Sequence, residues 1–224
     1  MIKSMVFPEK EFKLKYKDLI INCQSDENLY HLFEQLYKMF ANFLAVDNLI
    51  HQATQLGPIT VEFCTEREEP TGSAWYSCTR KIYVDKNINL LKLIEALIFQ
   101  LCNANNPYLQ QGNQFKIDPL NYADRNEFTL ARELAEYTNT YIPCCQIMNA
   151  LLLDTQLMKD LKESGIVIPP EEILAYQQSI LPNFEVWWAT HNKNIPSKDF
   201  SQTDLYRQAS PNSELPNPKR MKPN

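Results

Sequence analysis

Chemistry at neutral pH would have to come from a short set of side chains. Cys144 and Cys145 follow Pro143 directly. Proline favours the first turn of a helix, and a helix N-terminus favours the thiolate, so these two are the candidate reactive thiols. A cysteine nucleophile also needs a base beside it. The histidines are His31, His51 and His191, each alone in its segment. Packed, inert thiols are therefore the plainer reading. Glu133 and Glu136 place two carboxylates one turn apart on a predicted helix. Glu66, Glu68 and Glu69 with Asp85 could attract a cation, but a solvated charged turn accounts for them as well.

Several chemistries lack their residues. None of the six cysteines (Cys23, Cys64, Cys78, Cys102, Cys144, Cys145) forms a CxxC pair, so zinc-ribbon spacing is missing. Cys64 and Cys78 flank a turn and could face each other across a hairpin, although two small half-buried residues is the simpler expectation. Only 4 of 224 residues are glycine and no GxGxxG or GxxxxGK[ST] pattern occurs, which argues against a phosphate-cradling loop. No metal and no cofactor is expected. The net charge of -5 makes nucleic acid a poor partner. Lys3, Lys10, Lys13, Lys15 and Lys17 crowd the N-terminus, where a solvated face is the expectation. No run of about 18 apolar residues is present, so no membrane span is predicted. The first residues lack the apolar stretch of a secretory signal. Synthesis in the cytosol is the corresponding expectation, with six reduced thiols.

The elements that must position these groups follow from periodicity. Phe12, Leu14 and Tyr16 alternate as in a strand. Ser25 reads as an N-cap, followed by helical spacing from Leu29 through Leu44 and on to about Gln55, stopping at Gly57-Pro58. Residues 59–64 alternate as a strand, 65–73 form a charged turn, and Trp75-Tyr76 and Lys81-Ile82-Tyr83-Val84 resume strand character. Asn87 or Asn89 can cap a helix over 90–104 that is apolar on most faces and hence central. Asn105-Asn106-Pro107 ends it, and a loop over 107–121 follows. Helices are then predicted over 122–141, from Pro143 to about Glu163, and over 170–191. The Trp187-Trp188 pair on the last one is expected to staple it to the core. Residues 1–195 read as one globular domain and 196–224 as a polar, proline-rich flexible tail.

The fold expected from these elements is α+β and helix-dominated, with a small antiparallel sheet beside a central buried helix. Gly72-Ser73-Ala74-Trp75-Tyr76, Lys81-Ile82-Tyr83-Val84-Asp85 and then Ala96 through Ala104 resemble the strand–strand–helix core of zincin-like metallopeptidases over roughly residues 59–140. In that family the helix reads like L-x-H-E-L-x-H-A. Two histidines one turn apart bind zinc and the glutamate polarises the bound water. On this chain Phe99 stands at the first histidine position, Gln100 at the glutamate and Asn103 at the second histidine. Glu133 and Glu136 lie on the helix where relatives place a third ligand. Phenylalanine cannot ligate a metal, glutamine cannot take a proton from water, and asparagine is at best a weak oxygen ligand. One carboxylate without two imidazoles makes no zinc site.

The resemblance therefore implies a pseudoenzyme whose former cleft serves as a protein-interaction surface. A buried helix in an unrelated fold is the competing reading. Under both, Gln100 and Asn103 share a helix face and need hydrogen-bond partners, which the acidic 122–141 helix could supply. The alternative function is an enzyme using a cysteine nucleophile or the carboxylates of 133–136. The bias toward Asn, Gln, Lys and Ile and the polar tail also resemble effectors of intracellular bacteria. That likeness implies export by a specialised secretion system and a protein partner in a host cell.

Overall fold

The computed structural model describes residues 13–23, 26–64, 73–85, 87–107 and 125–191. Ser25, Glu66, Glu68, Glu69, most of the expected 107–121 loop and the 196–224 tail lie outside them. Five short strands form one sheet in the order β1-β2-β3-β5-β4. They are β1 (Lys13–Tyr16), β2 (Leu19–Asn22), β3 (Ile59–Cys64), β4 (Ser73–Tyr76) and β5 (Lys81–Asp85). The sheet is mixed, which corrects the antiparallel expectation. β1 with β2 and β4 with β5 are antiparallel, whereas β2 with β3 and β3 with β5 run parallel. Parallel neighbours need a crossover, and α1 (Glu27–Asn42) and α2 (Leu44–Thr54) supply it between β2 and β3.

Strand alternation assigns the two faces of the sheet. Leu19, Ile21, Ile59, Val61, Phe63, Ile82 and Val84 are all buried on the helix-covered face. Register carries Ser73 and Trp75 onto that face, opposite Val84 and Ile82. The other face keeps polar residues such as the Lys81–Glu62 ion pair at 2.6 Å. Lys3 and Lys10 lie outside the described residues, and Lys15 and Lys17 pair with carboxylates near the surface. Lys15 lies 3.8 Å from Asp18, and Lys17 lies 2.6 Å from Asp47, which also accepts a hydrogen bond from the Tyr16 hydroxyl. Those contacts hold the Asp47 carboxyl below its ordinary range, the Lys17 bond being the larger cause.

The central helix is α3 (Leu90–Asn105). Asn89 is its N-cap, accepting from the Lys92 backbone N–H at 2.9 Å. It packs on β4, β5, α2 and α5 (Ile142–Leu153). The expected 29–55 helix is instead two, because Phe43 takes an extended backbone (φ -99, ψ 99) between them. The helix expected from Pro143 to 163 also divides. Asp154 is extended and caps α6 (Thr155–Glu163) by accepting from the Leu157 N–H at 2.9 Å.

Residues 125–153 form a continuous run of α4 (Arg125–Glu136), a π-turn (Tyr137–Tyr141) and α5. Pro143 explains the widened turn, since its ring has no N–H to give to the carbonyl four residues back and would clash with it. The backbone shifts to a five-residue bond, Ile142 N–H to the Tyr137 carbonyl. Side chains serve the carbonyls nearby. Thr138 donates to Leu134 O at 2.8 Å and Asn139 to Ala135 O at 3.0 Å. Asn106, just past the end of α3 and fully buried, donates to Thr140 Oγ1 at 3.1 Å and toward Ala135 O at 3.4 Å.

The expected 170–191 helix is broken as well. α7 (Pro170–Ser179) ends before Pro182, and α8 (Phe184–His191) restarts with Asn183 accepting from the Val186 N–H at 3.0 Å. No helix among the described residues is long and apolar enough to cross a membrane.

Candidate functional site

The residues singled out by sequence fall into two sets, one between α3 and β4 and one between α4 and α8. Helical spacing puts Gln100 and Asn103 on one face of α3, and that face lies under the edge strand β4. Gln100 Nε2 donates to Ser73 Oγ at 2.9 Å, and Asn103 Nδ2 donates to Gln100 Oε1 at 2.9 Å. All three residues are buried. The partner for the amides is thus a serine of β4, not the acidic helix. The ladder stops at Asn103, whose Oδ1 is buried with no hydrogen-bond partner among the described residues, and the indole Nε1 of Trp75 in β4 is in the same condition. An unserved buried acceptor costs on the order of 1–3 kcal/mol.

Phe99, on the neighbouring face of α3, is half-buried. It packs against both hydrophobic clusters of the molecule, the aliphatic core on the sheet and an aromatic cluster around α4 and α8. Glu133 of α4 is 5 % exposed, and both of its oxygens are engaged. Oε1 lies 3.0 Å from Arg132 Nη2, and Oε2 accepts from Trp187 Nε1 at 3.2 Å. A buried indole N–H and a buried carboxylate each require a partner, and here they satisfy each other across 54 residues of sequence. Burial first, then the neighbouring Glu133 charge, push the Glu136 carboxyl above its ordinary value, against the pull of Arg132 and His191. His191 stacks on the Trp187 ring at 4.0 Å and its Nδ1 lies 2.8 Å from the Trp187 carbonyl oxygen.

Gln100 and Asn103 are thus tied to β4, while Glu133 is tied to α8, and no hydrogen bond joins the two sets among the described residues. No group of three or more His, Cys, Asp or Glu side chains among the described residues is arranged to hold a metal ion. The thiols sit on the α3–α5 side. Cys144 is buried with its Sγ 4.0 Å from the Glu95 carbonyl oxygen. Burial pushes its thiol well up, reinforced by Cys102 and Cys145. Burial likewise raises Cys145, although the nearby Tyr141 and Tyr176 hydroxyls pull the other way. Cys102 is pushed up to about 12 by the same cause. These shifts are opposite to those of an activated thiol. His31 and His51 are exposed on α1 and α2. Cys64 bonds toward the Val84 carbonyl at 3.5 Å, near the end of β5 away from the β4–β5 turn, and Cys78 lies exposed in that turn. They do not face each other.

Sequence reasoning missed Ser73, Arg132 and Trp187 as partners. Strand alternation could have placed Ser73 on the helix-covered face, and a tryptophan expected in a core carries a standing demand for an acceptor. No family model, curated protein or solved structure matches this chain.

Proposed function

We propose that the chain is a non-catalytic protein-interaction module whose contact surface is the seam of β4, α3 and α4. The observation that carries this reading is the amide ladder Ser73–Gln100–Asn103, which ends on a buried acceptor with no partner among the described residues. Unsatisfied polar groups of this kind cost stability, and proteins keep such costs where function needs them. The zincin-like resemblance would put its metal ligands and base at Phe99, Gln100 and Asn103, a set without an imidazole or a carboxylate. A degenerate zincin-like core is accordingly the ancestry we favour. Delivery to a host cell by a specialised secretion system belongs to the same proposal and rests on composition. The alternative, a cysteine nucleophile or the 133–136 carboxylates, draws no support from raised thiols and an engaged Glu133.

The test separates stability from binding. Asn103→Leu removes an acceptor with no partner among the described residues and also the donor to Gln100 Oε1, so thermal stability should change little, whereas Gln100→Leu breaks both bonds of the ladder and should lower it. Partners captured by the wild-type chain and cross-linked at β4 or α4 should be lost with Asn103→Leu. A variant at full stability that retains the same cross-links rules out the seam as the contact surface. Peptide or ester hydrolysis by the wild-type chain that is abolished by Cys145→Ala or Glu133→Gln rules out the non-catalytic reading.

A further inference from the structure

We draw no further inference here: the strongest candidate, the side-chain cluster between β4 and α3 that leaves Trp75 Nε1 and Asn103 Oδ1 buried with no hydrogen-bond partner among the described residues, belongs to the site already described.

Discussion

The sheet core and the aromatic cluster hold their side chains by different means. In the sheet core, Ile59, Val61, Ile82, Val84, Ile94 and Ile98 are all fully buried, and each sits on an element whose backbone is hydrogen-bonded into the sheet or into α3. β-branched residues fit the pleated surface, and the ladder fixes where each one points. The aromatic cluster has no ladder. Tyr137 meets Tyr141, Phe184 and Trp187 at centroid distances of 5.4 to 5.8 Å, and the Trp187–Glu133 bond links α8 to α4. Aromatic contacts add about 0.5–1.5 kcal/mol each beyond burial, but they do not fix register as a ladder does. The contrast teaches that one chain can combine a core anchored by a sheet with a cluster anchored by aromatic contacts, with Phe99 packed against both and Asn106 bonded to the π-turn.

The largest effect should separate the two regions outright. Phe63→Ala and Trp188→Ala each remove a fully buried aromatic, worth about 3–5 kcal/mol. Phe63→Ala should lower the melting of the whole chain, seen alike by far-ultraviolet circular dichroism and by exchange in β3. Trp188→Ala should lose near-ultraviolet aromatic signal and α8 protection while β3 stays protected. Equal loss in β3 would merge the two regions into one. A smaller effect tests the joint between them. Asn106→Ala leaves the π-turn without its bonds from the end of α3 and should cost about 1–3 kcal/mol, with broadening of Tyr137 and Tyr141 ring signals by NMR before any change in the sheet.

Much of this frame was legible in the sequence. The apolar run of 90–104, its Asn89 cap and the stop at Gly57-Pro58 are local signals, and local physics decides them. The break at Phe43 was not legible, because apolar spacing continues straight through it and only packing chooses the extended backbone. The β1–β2 turn at Lys17-Asp18 was hidden for a related reason. It places Lys17 at φ 50, a left-handed conformation usually announced by Gly or Asn. Pro182 did announce the division of α7 from α8, and the apolar pattern around it masked the signal. At the site, the identities at Phe99, Gln100 and Asn103 already spoke against metal chemistry. The Ser73 and Trp187 bonds are long-range, so no window of sequence contains them.

The smallest effect concerns pH. The Glu136 carboxyl lies above its ordinary value of 4.5 in the folded chain, so its ionisation opposes folding. That penalty is missing below about pH 4.5 and grows as pH rises through the raised value. Glu136→Gln should therefore melt higher than wild type at pH 7.5, by about 2 °C, and level with it at pH 4. A gain that is equal at both pH values would place the effect outside this carboxyl.

The central proposal is that the Ser73–Gln100–Asn103 ladder between β4 and α3 belongs to a contact surface and not to a metal centre. Zinc content after equilibration of the purified chain with excess zinc and removal of unbound metal tests it most directly. The account expects far less than one zinc per chain, with the same value in Glu133→Gln and Glu136→Gln. One zinc per chain that is lost on either substitution would contradict it.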